Sequence, residues 1–157
     1  MTQTTQNSLN IRATPQEIYD AFINPRALEV WQAPGDMTAK VHDFDLRVGG
    51  GYRMSLFYPD NEKEAIGKTS GREDRFATRF IDLIPGEKIV QAINFETSNP
   101  DFAGEMIMEI KLEPIDNSTK VTILFKDIPQ GIRPEDNEAG TISSLEKLAK
   151  YVQGIRS

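Results

Sequence analysis

The first quarter of the chain changes from a two-residue to a helical spacing of hydrophobic positions. Residues 9–13 alternate between apolar and polar side chains, the period of a half-buried strand. Thr14 and Glu17 then flank Pro15, a capping box with proline at the first helical position. An Asn-Pro pair at 24–25 ends this helix and starts a second short one. The pattern therefore predicts a strand followed by two short helices.

The central part of the chain, from Thr38 to Lys126, keeps a period of two. Its alternating runs lie at 41–46, 52–58, 71–84, 88–96, 105–112 and 121–125. Short turn sequences, such as Pro85-Gly86 and residues 116–118, separate the later runs. The spacing is typical of six strands joined as hairpins, which predicts an antiparallel sheet with one wetter face.

The last part of the chain predicts one long amphipathic helix. Apolar residues recur there at three- and four-residue spacing, namely Ile142, Leu145, Leu148, Ala149 and Val152. A curved antiparallel sheet wrapped around this helix would bury the stripe economically. We therefore predict an α+β fold in a single domain over residues 8–155, preceded by a flexible N-terminus at 1–7.

The composition excludes several classes of function but says little more about the fold. The chain has 157 residues, no cysteine and a formal net charge of −6. The missing cysteines exclude disulfides, thiolate nucleophiles and cysteine-ligated metal sites. The acidic balance argues against nucleic acid as a partner, because phosphate binding requires a basic surface. We expect a cytoplasmic monomer or homodimer without a membrane span, since no apolar run reaches the ~20 residues that one needs.

Three consecutive glycines, Gly49, Gly50 and Gly51, raise the question of a phosphate-binding loop. Such a loop lies between a strand and a helix, so that the helix N-terminus points at the anion. Here the glycines are followed by an alternating, strand-like run, and no Gly-Lys-Ser or Gly-Lys-Thr sequence is present. The context favours a hairpin corner, where glycine supplies positive φ without steric cost.

Several motifs around this corner, taken in order, resemble the activator of heat-shock protein 90 ATPase homologue family, a branch of the START-like (SRPBCC) superfamily. The motifs are Trp31-x-x-Pro34, Asp45-x-Arg47-x-Gly49-Gly50-x-Tyr52-Arg53, Leu83-Ile84-Pro85-Gly86-Glu87-Lys88-Ile89 and Leu145-x-x-Leu148-x-x-Tyr151-Val152. The resemblance implies a helix-grip fold with a cavity between the long helix and the concave sheet. Its members bind apolar or amphipathic small molecules or act as partners of a chaperone. One departure is Gly140-Thr141, where the family often has Gly-Trp.

Few residues in the sequence are candidates for catalysis or metal binding. His42 is the sole histidine, and alternation places it on one strand face with Phe44 and Leu46, so it could point into a cavity. A satisfied histidine at the sheet rim is the simpler interpretation. The adjacent acids Glu73 and Asp74 face opposite ways in a strand and are expected on a solvated face. We predict no cofactor and no metal site.

The apolar residues are better candidates for a binding site. Large side chains from many elements could line a pocket or simply form the core: Trp31, Phe44, Met54, Phe76, Phe80, Phe95, Met106, Met108, Phe125 and Leu145. The methionines are unbranched and polarizable, which suits a pocket that adapts to varied ligands. His42, Arg53, Thr78 and Glu73 are the candidate polar anchors.

Three functions remain open from the sequence. The first is binding of a hydrophobic or amphipathic small molecule without catalysis. The second, implied by the resemblance, is regulation of a chaperone ATPase through protein contacts. The third, also implied by the resemblance, is a polyketide cyclase or hydratase, for which His42 would be the obvious acid–base residue.

Overall fold

In the described part of the chain, seven strands and three α-helices follow the predicted order. A computed structural model describes residues 3–33, 36–58, 73–97 and 99–156. The elements are β1 (Gln3–Ile11), α1 (Pro15–Phe22), α2 (Pro25–Trp31), β2 (Thr38–Asp45), β3 (Gly51–Phe57), β4 (Glu73–Ile84), β5 (Lys88–Phe95), a 3-10 turn (Pro100–Phe102), β6 (Met106–Ile115), β7 (Ser118–Ile128) and α3 (Pro134–Arg156).

All seven strands form one antiparallel sheet in the order β1-β7-β6-β5-β4-β3-β2. Strands β2 to β7 are joined as successive neighbours, and β1 pairs with β7 at the far edge. The long helix α3 contacts β1 and both short helices. The predicted α+β helix-grip architecture, with two short helices after the first strand, is confirmed.

Strand β1 begins earlier than the alternation predicts. Gln3 and residues 5–7 pair with β7, with a break in the register between Gln3 and Thr5. Thr5 is buried there, and its hydroxyl donates to the side-chain oxygen of Asn137 on α3. The flexible N-terminus at 1–7 stays a prediction. The domain bounds of 8–155 stay a prediction.

Both short helices begin at the predicted caps. The Thr14 hydroxyl accepts from the backbone N–H of Glu17 at 3.1 Å, and the Glu17 carboxylate accepts from the backbone N–H of Thr14 at 2.9 Å. The side chain of Asn24 accepts from two backbone N–H groups at the start of α2. These bonds satisfy donors that a helix N-terminus otherwise leaves free. Pro34 and Gly35, predicted to stop α2, lie outside the described residues.

Helix α3 buries most of its predicted apolar stripe. Leu145, Leu148 and Val152 are each at most 1% exposed and join the core. Ile142 departs from the stripe and is 47% exposed. The stripe therefore turns away from solvent only after the first two turns of α3.

The three glycines form a hairpin corner between β2 and β3, as predicted. Gly49 has a φ of +89°, which a side chain would disfavour. A Cβ at Gly51 would overlap the backbone carbonyl of Thr78, so β3 and β4 approach here more closely than any other residue would permit. The corner thus has a structural role in the sheet.

Candidate ligand-binding cavity

A cavity of about 210 Å³ lies between the inner face of the sheet and the first half of α3. Strands β3 to β7 supply its apolar wall, and the end of α2 supplies Trp31 and Gln32. Helix α3 supplies the opposite, more polar wall, including Asp136 and Thr141. Asp136 is exposed to solvent, so the cavity reaches the surface at the start of α3.

The structure brings together six of the predicted site residues at this cavity: Trp31, Phe76, Phe95, Met106, Met108 and Phe125. Four others are buried in the core without lining it: Met54, Thr78, Phe80 and Leu145. Phe44 is half-buried and stacks on Tyr52 at 5.4 Å between ring centroids. The side chain of Glu73 lies outside what the structure describes.

His42 and Arg53 lie on the opposite face of the sheet, which corrects their expected role as anchors of this cavity. His42 pairs with Arg53 across β2 and β3, while the adjacent pair, Val41 and Met54, faces the core. Asp43 has a φ of +50° at a break in the β2–β3 register. This bulge returns Phe44 to the inner face, so His42 and Phe44 do not share a face.

The outer face carries a second depression of about 260 Å³, bordered by His42, Asp43, Arg53 and Arg75. The Arg53 guanidinium lies 2.9 Å from the carboxylate of Glu96, which also lies 3.8 Å from Arg75. Exposed ion pairs of this kind add little stability. Among the described residues, no group of three or more histidines and acids could hold a metal ion.

Asp74 is the main lining residue that the sequence pattern did not reveal. The expectation of a solvated face is wrong for it, because its side chain is 1% exposed and lines the cavity. Tyr58 donates its hydroxyl to Asp74 Oδ2 at 3.0 Å. The missed signal is alternation itself, because Asp74 lies two residues before Phe76 and therefore on the same face of β4.

Polar side chains also meet beneath the cavity, in the core. Tyr52 and Thr78 pair across β3 and β4, and both hydroxyls are buried without a hydrogen-bond partner of good geometry among the described residues. Burial raises the pKa of the Tyr52 hydroxyl, and the nearby side chains of Thr78, Gln32 and Gln91 offset part of that effect. This part of the core is therefore polar but has few well-formed hydrogen bonds among the described residues.

Trp31 is fixed in place at the cavity wall. Its indole N–H donates to the backbone oxygen of Ala21 at 3.0 Å, and its ring packs edge-on against Phe22 at 4.7 Å. Ser144 on α3 donates to the backbone oxygen of Gln32 at 2.7 Å. The end of α2 is thus held against α3, and the two helices shape the cavity together.

A curved antiparallel sheet that closes on a long C-terminal helix around a cavity defines a START-like (SRPBCC) protein. Residues 12–153 match the model of the family described as Activator of Hsp90 ATPase homolog 1-like protein. The chain belongs to this family. The predicted membership is confirmed over nearly the whole chain.

Solved structures show the same architecture. Protein CV1439 from Chromobacterium violaceum is 32% identical, with a TM-score of 0.84 over 95% of this chain and 96% of that one. Mll3558 from Rhizobium loti is 24% identical, with a TM-score of 0.72 over 95% and 96%. An AHSA1-like protein from Aeromonas hydrophila, 16% identical with a TM-score of 0.73 over 98% and 94%, shares the fold.

Two further findings bear on function. No curated protein matches the chain. None of the helices in the described part of the chain is both long and apolar enough to cross a membrane.

Proposed function

We propose that the protein binds a hydrophobic or amphipathic small molecule in the cavity between the sheet and α3, without catalysing a reaction. The observation that carries this proposal is the lining itself: five aromatic or methionine side chains from β4 to β7 converge there with Trp31. Binding sites for small molecules are mostly apolar and hold a few convergent polar groups.

The size of the cavity sets the size of the ligand. A dry engineered cavity of about 150 Å³ admits benzene. At about 210 Å³, this cavity has room for a somewhat larger aromatic or short alkyl group. A longer ligand would extend toward the surface past Asp136.

The positions of the polar groups support a non-catalytic role. His42, the residue on which a cyclase or hydratase mechanism would depend, lies on the other face of the sheet. The hydroxyls of Thr141 and Ser144 line the cavity but donate to backbone oxygens of Asn137 and Gln32. Among the described residues, neither hydroxyl is paired with a base that could activate it.

Regulation of a chaperone ATPase is the alternative, and the family description motivates it. A purified chaperone of the heat-shock protein 90 class from the same cell would serve as the test. An unchanged ATPase rate across a titration with this protein would count against the alternative. A cytoplasmic location and a monomeric or homodimeric state complete the proposal.

Native mass spectrometry of the protein as purified tests the main proposal. We expect a near-stoichiometric adduct that disappears when the protein is denatured, and its mass gives the compound class. A single unliganded species that also fails to take up added hydrophobic compounds would contradict the proposal.

A further inference from the structure

We propose that a water molecule is bound inside the protein, where it bridges the side chains of Tyr52, Thr78 and Gln32. This internal site goes beyond the proposed function, because it does not depend on a ligand in the cavity. Three observations support it: the unpaired polar atoms of the three side chains, their hydrogen-bonding capacity and the position of Gln32 in the cavity wall.

Three polar atoms are buried close together without hydrogen-bond partners among the described residues: the hydroxyls of Tyr52 and Thr78 and the side-chain oxygen of Gln32. Tyr52 and Thr78 lie directly opposite each other on β3 and β4. Burial raises the pKa of the Tyr52 hydroxyl, and the side chains of Thr78 and Gln32 lie near enough to lower it in part. Buried polar groups in native proteins are nearly always hydrogen-bonded. The cluster therefore points to a partner that these side chains do not themselves supply.

The backbone leaves the two hydroxyls little freedom to approach each other. Strands β3 and β4 pair in unbroken register from Gly51 to Phe57. Thr78 also pairs with Ile93 on β5, so β4 is held on both sides at this point. A strand shift toward direct contact would break backbone hydrogen bonds, which are costly to leave unmade. A bridging molecule satisfies the hydroxyls without moving either strand.

Water has the hydrogen-bonding capacity that this cluster requires. Each hydroxyl can donate, whereas the Gln32 oxygen can only accept. A water can accept from both hydroxyls and donate to Gln32, which gives it about three hydrogen bonds, the typical number for a buried water. An anion could not donate to Gln32, and the three side chains include no carboxylate to balance a metal cation. Water is therefore the ligand that this chemistry fits.

Gln32 gives water a route to the cluster. This residue ends α2 and lines the cavity of about 210 Å³, while its side chain also lies near Tyr52. A water takes up about 30 Å³ in the liquid, so the cavity is wide enough for water to pass through it. A bridge to Gln32 also fixes the side chain that forms this part of the cavity wall.

The bridge is expected to add little net stability. In the unfolded chain the same groups bond to bulk water, so the internal bonds replace ones that already existed. Immobilising the water also costs entropy. Its effect is to satisfy buried groups and to hold Gln32 in place.

A high-resolution crystal structure of the protein without added ligand tests the site directly. We expect one well-ordered solvent peak about 2.5–3.0 Å from the hydroxyls of Tyr52 and Thr78 and at a similar distance from the side-chain oxygen of Gln32. The absence of such a peak, whether or not the three groups then bond directly to one another, would overturn the proposal.

A measurement in solution assigns the water to these side chains. Oxygen-17 relaxation dispersion counts long-lived internal waters and does not respond to exchangeable hydroxyl protons. The double variant Tyr52→Phe/Thr78→Val removes both hydroxyls and leaves Gln32 alone of the three partners, whereas a buried water needs at least about two. We expect this variant to hold one long-lived water fewer than the wild type.

Thr122→Val is the matched control. It removes a buried threonine hydroxyl on β7, a strand that pairs with neither β3 nor β4, and it should leave the water count unchanged. An equal count in the wild type and the double variant would overturn the assignment. If circular dichroism shows that the double variant is unfolded, the wild-type crystal structure alone decides. Neither measurement uses a ligand, so this inference and the proposed function fail separately.

Discussion

At the scale of single residues, Tyr52 shows how the core accommodates polarity. Its hydroxyl is buried on β3, close to Thr78 and Gln91 but without a well-formed hydrogen bond among the described residues. A buried hydroxyl without a partner costs free energy, whereas its aromatic ring contributes through contacts with Phe44 and Phe80. The ring therefore stabilises the fold and the hydroxyl does not.

A Tyr52→Phe substitution tests this division. At neutral pH we expect the free energy of unfolding to change by at most about 1 kcal/mol, because no good hydrogen bond is lost. The measurement is urea unfolding followed by circular dichroism. A loss of several kcal/mol would show that the hydroxyl is bonded more strongly than its geometry indicates.

Tyr52→Phe should also change how the free energy of unfolding depends on pH. Because burial raises the pKa of Tyr52 above 10.0, the unfolded chain ionises first as pH rises. The stability linked to this group is fully present below about pH 10 and is lost as pH rises toward the folded pKa. Tyr52→Phe should make this alkaline loss less steep. Burial also raises the pKa of Tyr19. Part of the loss of stability at alkaline pH should therefore remain in the variant.

At the scale of elements, two hydrogen bonds join α3 to the C-terminal end of α2. Ser144 donates to the backbone oxygen of Gln32, and the Lys147 ammonium donates to that of Ala33. Both acceptors lie at the C-terminal end of α2, where a helix leaves carbonyls unsatisfied and favours a cation. Helix α3 thus caps α2 from outside its own sequence.

Removing either donor should destabilise the protein. Ser144→Ala and Lys147→Met should each lower the free energy of unfolding by about 1–2 kcal/mol, since each leaves a partly buried carbonyl without its partner. Lys150→Met, an exposed lysine one turn further along α3, is the matched control and should have almost no effect. Equal losses for Lys147→Met and Lys150→Met in urea unfolding would show that the contact to Ala33 contributes nothing.

The elements themselves were predictable from the sequence, whereas the site was predictable only in part. A period of two is dictated by the pleat, so the strands and the inward residues of β4 and β6 could be identified. The bulge at Asp43 could not, because nothing in local alternation indicates one residue of positive φ. That single break places Phe44 on the inner face while His42 stays on the outer one. Asp74 escapes prediction for another reason, since an acidic side chain ordinarily indicates exposure.

At the scale of the whole molecule, the cavity is the gap between two layers that meet fully only at one end. Helix α3 packs through Leu145, Leu148 and Val152 in its second half, while its first half carries small and polar residues such as Gly140 and Thr141. The distance between the sheet and the first half of α3 decides which apolar side chains line the cavity and which are packed in the core. Sequence periodicity reports faces and not gaps, so it does not distinguish core from lining.

Filling the cavity should weaken ligand binding without unfolding the protein. Thr141→Trp places an indole in the cavity, and we expect binding of the probe n-octanol to fall at least about tenfold because the apolar volume is lost. Ile142→Trp adds the same group to an exposed position one residue along and should bind octanol normally. Calorimetric titration of both variants, with circular dichroism as the check on folding, makes the comparison. Equal affinity in the two variants would contradict a ligand site at Thr141.

The position of β1 has a consequence for how the chain is assembled. Strands β2 to β7 each pair with the next strand in sequence, whereas β1 can pair only after β7 is present. The contact between Thr5 and Asn137 spans 132 residues. Closing so long a loop costs entropy that local hairpins avoid. During synthesis, β1 therefore leaves the ribosome well before its partner strand and is among the last segments to find its place. The backbone groups of β1 therefore lack a partner strand until β7 has left the ribosome.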